Sequence, residues 1–198
     1  MNVLGCRFVY KTKRTPDRLV ERWKARLVAQ GFKQREGLDY NKTFTSTVNM
    51  QSVRIFLWIV TFYDLELFKI DIKTFFLYGE LKETVYMKQP EGYTDDTKTD
   101  HVCRLKRSLY GTKQAMRCAN EHLKGTLLAL GFVQLMSDDF VYIKYIKTDY
   151  IILCNHVDDI ACGGSSIEVC KSFITELSKT YMVKAEADPT VYLSLQMK

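Results

Sequence analysis

Residues 150–164 have the sequence YIILCNHVDDIACGG, in which two aspartates interrupt a run of apolar and β-branched residues. Apolar, β-rich segments on both sides of a short polar break are typical of two antiparallel strands joined by a tight turn. The pattern predicts a hairpin with Asp158 and Asp159 at its tip. A carboxylate set against an apolar strand needs a cation or a hydrogen-bond donor, because burying an unpaired charge costs free energy.

A third aspartate, Asp71, lies inside a second apolar segment, Leu67 to Ile72, that also has the composition of a strand. Carboxylate oxygens are the protein ligands that Mg²⁺ prefers, and a pair of such ions supports phosphoryl transfer. The alternative is that Asp158 and Asp159 are ordinary turn residues, which Asp favours. Nothing in the local sequence shows that Asp71 and Asp158, 87 positions apart, meet.

The rest of the chain mixes helical and strand-like periodicity. Apolar residues recur at three- and four-residue intervals in three predicted helices: one following Ser52, with Ser52 or Ser46 as its cap, one over Lys113 to Leu130, and one over Ile167 to Leu177. Further strands are predicted over Phe8 to Lys13, Arg22 to Phe32, Phe140 to Tyr145, and Tyr181 to Lys184. Helices and antiparallel hairpins that do not strictly alternate indicate an α+β fold.

Composition excludes several classes of protein. The chain has 198 residues, of which 46% are hydrophobic and 26% charged, the profile of a globular domain. The longest uncharged apolar run, Ile55 to Val60, is far shorter than the ~20 residues that span a bilayer. The six cysteines and three histidines show no zinc-ligand spacing, so we expect reduced, packed thiols in an intracellular protein.

Positive charge is concentrated near the N-terminus. The first 35 residues hold ten basic and two acidic side chains, a net charge of +8, whereas the remainder carries −2. This favours a polyanionic partner, although a solvated basic face is the alternative. Lys24 and Arg26 lie two residues apart on one face of a predicted strand, where they could clamp a triphosphate or simply be exposed. Phe75 and Phe76 could wall a sugar pocket or belong to the core.

Five motifs in constant order carry a family resemblance. They are residues 23–32 (WKARLVAQGF), 70–81 (IDIKTFFLYGEL), 85–92 (VYMKQPEG), 108–115 (SLYGTKQA) and 157–159 (VDD). The set closely resembles the reverse transcriptase of copia-type retrotransposons, particularly the plant lineages. The match extends from about Gly5 to Tyr181.

The resemblance implies a right-hand polymerase fold reduced to fingers and palm, with an antiparallel palm sheet packed on helices and no thumb. Residues 1–46 and 79–114 would be fingers-like, and residues 47–78 and 115–198 palm-like. No ribonuclease H, integrase or protease domain is expected within the 198 residues.

The resemblance also implies the site and its ligands. Asp71, Asp158 and Asp159 would be catalytic and would hold two Mg²⁺ ions, with Mn²⁺ as a substitute. Lys24 and Arg26 would hold the triphosphate of a dNTP, Phe76 would exclude a 2′-hydroxyl, and Tyr110 and Gly111 would lie beneath the base. The expected partners are an RNA or DNA template–primer, contacted by Arg22, Lys33 and Arg35, and the rest of a retroelement polyprotein in a cytoplasmic particle. The oligomeric state is left open.

Departures from the family pattern bear on activity. His156 stands where the family has tyrosine, polar Asn155 stands where an apolar residue is usual, and Met116 and Ala119 replace a proline or serine and a tryptophan. We therefore expect a truncated copy that is weakly active or inactive alone. The alternative is a non-catalytic, nucleic-acid-binding remnant of a decayed retroelement. A metal-dependent phosphohydrolase is a third hypothesis, for which His156 is the one nearby base.

Overall fold

A computed structural model describes residues 1–15, 17–43, 45–193 and 195–196 of the chain. Pro16 and Phe44 of the predicted fingers, and Ser194, Met197 and Lys198 of the predicted palm, lie outside the described residues. The chain divides into two compact units, Met1–Thr45 with Phe76–His122 and Ser46–Phe75 with Leu123–Lys198. No helix within the described ranges is long and apolar enough to cross a membrane.

Helices and strands are mixed along the chain, as the periodicity predicts. The helices are α1 (Met50–Phe62), α2 (Ala115–Ala129) and α3 (Ile167–Ser178). The strands are β1 (Val3–Leu4), β2 (Cys6–Arg14), β3 (Val20–Ala29), β4 (Glu66–Ile72), β5 (Tyr86–Lys88), β6 (Val102–Arg104), β7 (Val133–Gln134), β8 (Val141–Ile146), β9 (Asp149–His156), β10 (Asp159–Gly164), β11 (Val183–Ala187), β12 (Val191–Tyr192) and β13 (Leu195–Gln196).

The second unit is built on a six-stranded antiparallel sheet with the order β11-β4-β10-β9-β8-β7. The buried stripe of α1, which includes Val53, Phe56 and Val60, packs in one cluster with Cys154 of β9 and Ala161 of β10. Helix α3 packs on β4, β9, β10 and β11. The sheet therefore holds β4, β9 and β10, the three strands that carry the aspartate motifs, next to one another.

The cap predicted for α1 is wrong. The helix begins after Asn49, whose side chain accepts a hydrogen bond from the Gln51 backbone N–H at 2.9 Å, instead of after Ser46 or Ser52. Asn is as good an N-cap as Ser, and periodicity alone does not choose between neighbouring candidates. The Asn49 N–H in turn donates to the Asp138 carboxylate at 3.0 Å, a tertiary contact that local sequence does not contain.

The first unit contains a long hairpin, β2–β3, whose two faces differ in chemistry. The register pairs Lys13 with Arg22, Lys11 with Lys24 and Val9 with Arg26. Paired residues in an antiparallel ladder point to the same face, so these cations line one side together with Arg7. Tyr10 and Trp23 lie on the opposite face. Alternation along residues 22–32 puts Trp23 on the face opposite the basic residues, and its side chain is 76% exposed.

A second sheet of the first unit has the order β1-β5-β6, and its core includes Leu4 of β1 and Met87 of β5, packed with Ala29 of β3 and with Val85. Ala29 is the last residue of β3. This cluster therefore fixes the end of the strand that carries Lys24 and Arg26.

Candidate active site

The hairpin tip and the strand-borne aspartate come together in the second unit. Asp159 begins β10 and is the register partner of Asp71 on β4, so the two side chains lie on the same face of the sheet. Asp158 occupies the turn between β9 and β10, and its carbonyl accepts a hydrogen bond from the Ile72 N–H at 2.8 Å. The structure thus brings Asp71 beside Asp158 and Asp159, which follow it by 87 and 88 positions in the chain.

Ionisable side chains form a row across four strands. Asp71 is paired with Lys184 of β11 on one side and with Asp159 on the other, and Asp159 is paired with His156 of β9. All four side chains therefore belong to one face of the sheet. A pair of carboxylates directly opposite each other is destabilising in a sheet unless a cation compensates.

The electrostatics of Asp159 show the crowding. Partial burial raises the pKa of the Asp159 carboxyl, and the negative charges of Asp158 and Asp71 raise it further, whereas the ammonium of Lys69 opposes the rise. The Lys69 Nζ lies 3.6 Å from an Asp159 carboxylate oxygen, and both side chains are about 29% exposed. Lys69 thus supplies the closest compensating charge.

The turn at the tip is strained. Val157 has φ = 57°, in the left-handed region that a β-branched residue rarely adopts. Such a conformation costs on the order of 1–3 kcal/mol and persists only where the surroundings impose it. Here the β9–β10 ladder on both sides and the Ile72–Asp158 hydrogen bond fix the turn.

The donor set suits a hard divalent cation in type, since it consists of carboxylate oxygens on adjacent strands. Burial and, to a smaller extent, the neighbouring Asp158 and Asp71 raise the pKa of the Asp159 carboxyl, and a bound cation would oppose that rise. Among the side chains that the structure describes, however, no group of three or more His, Cys, Asp or Glu residues is assembled closely enough to hold a metal ion. The carboxylates therefore fit such an ion in donor type, without an assembled group of metal ligands among the described residues.

A separate cluster in the first unit contains an arginine and two aromatic rings. The Arg26 guanidinium carbon lies 5.3 Å from the centroid of the Tyr110 ring, and the Phe76 ring meets Tyr110 edge-on at 5.1 Å. The Ser108 hydroxyl donates to the Phe76 carbonyl. The Arg26 Nε is buried and has no hydrogen-bond partner among the described residues. A buried cationic donor in this state favours an anionic ligand.

The turn after Tyr110 touches the end of β3. The Ala29 N–H donates to the Tyr110 carbonyl at 2.8 Å. Gly111 has φ = 87°, and a Cβ there would collide with the Ala29 carbonyl oxygen; a Cβ on Gly31 would collide with the Gly111 carbonyl. Both glycines are therefore required for this close approach.

Two buried glutamines support that turn. The Gln114 amide donates to the Asp39 carbonyl at 2.9 Å and accepts from the Gln34 amide at 2.9 Å. The Gln34 side-chain oxygen accepts from the Lys113 N–H at 2.7 Å. This network ties the segment after β3 to residues 113–114.

The sequence of the whole chain matches a known family. The family model described as "Reverse transcriptase (RNA-dependent DNA polymerase)" matches residues 1–198. The chain belongs to the reverse transcriptase family. Members of this family generally use divalent metal ions.

Similar proteins agree with this assignment. The Retrovirus-related Pol polyproteins from transposons RE2 and RE1 of Arabidopsis thaliana are 35% and 33% identical over 198 residues, all of this chain. That from transposon TNT 1-94 of Nicotiana tabacum is 37% identical over 182 residues, 91% of the chain. The match covers 14% of the length of each relative. The chain is thus a reverse transcriptase domain of the kind found in copia-type Pol polyproteins.

The remaining predicted residues of the reverse transcriptase domain lie apart from these clusters or at their margin. Lys24 and Arg22 are on the cationic face of the β2–β3 hairpin with Arg26. Lys33 lies in the 3₁₀ turn Gly31–Lys33, and its Nζ lies over the Phe32 ring, 5.8 Å from the ring centroid. Arg35 is exposed. Phe75 is fully buried in the core, whereas Phe76 is partly exposed and contacts Tyr110.

Lys69 and Lys184 are functional candidates that the sequence did not single out. Lys69 precedes Asp71 by two positions, so strand periodicity places both side chains on one face and was sufficient to find it. Lys184 depends on the pairing of β11 with β4, a contact between residues more than 100 positions apart. No local signal contains that pairing.

The unusual Asn155 is buried in β9, immediately before the tip. It is 2% exposed, and its side-chain oxygen has no hydrogen-bond partner among the described residues. Ala119 is also fully buried, and its backbone lies so close to Gly79 that a Cβ on the glycine would approach it to 2.7 Å. The two departures therefore fall on packed positions, where polar or volume changes cost stability.

Proposed function

We propose that this domain catalyses RNA-directed DNA synthesis from a template–primer and dNTPs. The primer 3′-hydroxyl oxygen forms a bond to the α-phosphorus, the bond from that phosphorus to the bridging oxygen breaks, and pyrophosphate leaves as the hydroxyl loses its proton. The observation that carries the proposal is that Asp71 on β4 pairs with Asp159 on β10, with Asp158 in the turn between β9 and β10. The family match supports the same reaction.

Asp71, Asp158 and Asp159 would hold two Mg²⁺ ions, with Mn²⁺ able to substitute. When bound, such ions neutralise phosphate charge and make the primer hydroxyl easier to deprotonate. In the absence of these ions, Lys69 compensates the negative charge of Asp159, because its ammonium lies 3.6 Å from the carboxylate. Asp159 supports the other two carboxylates from the first position of β10.

Arg26 and Lys24 would bind the triphosphate of the incoming nucleotide. The supporting observation is the unpartnered, buried Arg26 Nε, which a phosphate oxygen would satisfy. Tyr110 and Gly111 would lie beneath the base, and Phe76, packed edge-on against Tyr110, would discriminate against a 2′-hydroxyl. The glutamine network and the glycine contacts hold that turn against the end of β3, so the ring of Tyr110 has a fixed position.

Residues 1–46 and 79–114 would serve as the fingers and residues 47–78 and 115–198 as the palm, bounds that differ by a few residues from those of the two compact units. Arg22, Lys33 and Arg35 would contact template or primer phosphates, in keeping with the net positive charge of the N-terminal segment. Its relatives are polyproteins, so the domain would act as one part of a longer chain in a cytoplasmic particle.

A non-catalytic role in nucleic-acid binding is the second candidate. The buried side-chain oxygen of Asn155, which has no hydrogen-bond partner among the described residues, favours this role, because a destabilised β9 would loosen the position of the carboxylates. Such a remnant retains the cationic face of the β2–β3 hairpin and therefore retains salt-dependent binding without turnover.

Primer extension on an RNA template separates the two candidates. We expect weak extension with Mg²⁺ or Mn²⁺ that is lost in Asp158→Asn and kept in Glu186→Gln, an exposed acidic residue of β11 one row away from the aspartates. Template–primer binding measured in parallel should be unchanged by Asp158→Asn. Binding without extension in the wild-type chain under either metal would establish the second candidate instead.

A further inference from the structure

Helix α1 carries an exposed aromatic face opposite its buried stripe. We use this term for Ile55, Trp58, Phe62 and Tyr63, of which each side chain is between 59% and 63% exposed. The positions follow the spacing i, i+3, i+7, i+8, so they form a continuous strip along the last two turns of the helix. Buried Val53, Phe56 and Val60 anchor α1 to the sheet through the opposite side of the helix, and the strip is exposed in the described part of the chain.

The aromatic rings are ordered against one another. Trp58 and Phe62 stack with their ring centroids 4.8 Å apart and their planes 19° from parallel. Phe62 meets Tyr63 edge-on at 5.0 Å. A rigid, already packed aromatic surface loses little conformational entropy on association, and large aromatic residues dominate binding energy at protein interfaces.

The charges around the strip identify the kind of partner. Arg54 is the one cation of α1, and Asp64 follows the helix two residues after its end. Nucleic acids and anionic lipid surfaces are bound by clusters of Lys or Arg, whereas α1 carries Arg54 alone. A protein surface with an apolar centre and one charge of each sign at its ends is the chemistry that fits.

A second copy of the same face meets these requirements. When two copies of α1 pack antiparallel, the Arg54 end of one helix lies opposite the Asp64 end of the other, so both charges are paired by symmetry. Arg54 and Asp64 are exposed and make no ion pair or side-chain hydrogen bond within the described part of the chain. Self-complementary patches of this kind generate two-fold symmetric dimers.

We propose that the exposed aromatic face of α1 is a homodimer interface, in which the aromatic strips of two copies pack together and Arg54 of each copy pairs with Asp64 of the other. The interface belongs entirely to the second unit. It does not involve the aspartates and does not depend on the domain being catalytically active.

Sedimentation equilibrium of the full 198-residue chain over a range of concentrations tests the interface. We expect reversible dimerisation that Trp58→Ser weakens by about tenfold or more, the usual effect of removing a central aromatic anchor. Circular dichroism serves as the folding control, because the substituted side chains are exposed. Tyr145→Ser, which removes an exposed aromatic from β8, is the matched control and should leave the dimer unchanged.

A charge exchange gives the decisive result. Arg54→Asp and Asp64→Arg should each weaken the dimer, because each places like charges opposite one another, and the double variant should restore it. A chain that stays monomeric at all concentrations overturns the proposal. Dimerisation that ignores Trp58→Ser, or single charge variants that the double variant does not rescue, also overturns it. Binding of the monomer to phosphatidylserine vesicles or RNA through Trp58 would replace it with a different partner.

Discussion

Asp71 and Asp159 lie directly opposite each other on β4 and β10, with the antiparallel pairing continuing without a break from Asp159 to Gly164. Two carboxylates at directly paired positions repel. The pKa of the Asp159 carboxyl is raised first by burial; the charge of Lys69 opposes the rise, and the charges of Asp158 and Asp71 add to it. A fold optimised for stability alone would place a neutral or cationic residue at one of the two positions. The pairing therefore points to a role that requires two carboxylates.

Asp71→Asn should distinguish the destabilisation caused by the Asp71–Asp159 pair from the proposed binding of a metal ion by these carboxylates. Without divalent ions we expect the variant to be more stable than the wild type by about 0.5–1 kcal/mol, because one of two opposed charges is removed. With Mg²⁺ or Mn²⁺ the order should reverse, since only the wild type gains stability from a bound ion. Thermal unfolding with and without metal measures both effects. An equal metal-induced shift in Asp71→Asn and in the control Glu186→Gln would contradict metal binding at Asp71.

Asn155→Val should stabilise the domain. The buried side-chain oxygen of Asn155 has no partner among the described residues, so an apolar side chain of similar size removes a desolvation cost of about 1–3 kcal/mol. The free energy of unfolding in urea measures the gain. Asn41→Val, at an exposed position, should change stability by less than about 0.5 kcal/mol. Loss of stability in Asn155→Val would show that the asparagine has a hydrogen-bonding role.

Arg117→Met should destabilise the domain by about 3 kcal/mol or more, because it leaves the buried Glu83 without its cation. Arg117 lies 3.6 Å from a Glu83 carboxylate oxygen and 2.7 Å from one of Glu121, and its Nε donates to the Lys42 carbonyl at 2.7 Å. Both Arg117 and Glu83 are about nine-tenths buried. Lys124→Met, on an exposed position of the same helix, is the control.

The ion pair between Arg117 and Glu121 should make the stability of the folded domain depend on pH in a predictable direction. Burial by itself raises the pKa of Glu121, but the hydrogen bond and charge of Arg117 outweigh it and hold that pKa below its ordinary value of 4.5. A carboxyl with a lowered pKa stabilises the folded state above its unfolded pKa and loses that contribution as pH falls through the folded pKa. The wild type should therefore lose stability below pH 4.5, and Arg117→Met should lose less over the same range. If both proteins lost the same amount of stability as the pH was lowered, Arg117 would not be the group that lowers the pKa of Glu121.

Gly111→Ala should cost much more stability than Gly37→Ala, although both glycines have positive φ, 87° and 75°. The two substitutions share the conformational penalty of about 1 kcal/mol. A Cβ at position 37 meets no atom within 4 Å, whereas one at position 111 collides with the Ala29 backbone. The difference between the two variants in free energy of unfolding, measured in urea, reports how tightly the turn after Tyr110 packs against the end of β3. Equal costs would mean that this approach is not maintained.

The sequence predicted the secondary structure and the residues of the aspartate group because both depend on local pattern. Apolar, β-rich runs around the aspartates locate β4 and the β9–β10 hairpin, and the family motifs select Asp71, Asp158 and Asp159. The position of Lys184 beside Asp71 could not be predicted, because it depends on how β11 is ordered within the sheet. The exposure of Trp23 was missed for a similar reason, since alternation tells which residues share a face but not whether another element covers that face.

The register of the β2–β3 hairpin limits which changes this protein can accept. The pairing is regular from Cys6–Ala29 to Lys13–Arg22 and shifts only between Lys13 and Arg14, near the turn. Inserting or deleting one residue beyond that irregularity changes only the turn. The same event anywhere between Lys24 and Ala29 would exchange the faces of the residues that precede it and send Trp23 to the side of the cations. In a lineage of diverging copies, single-residue length changes should therefore accumulate at the hairpin turn and be absent from the rest of β3.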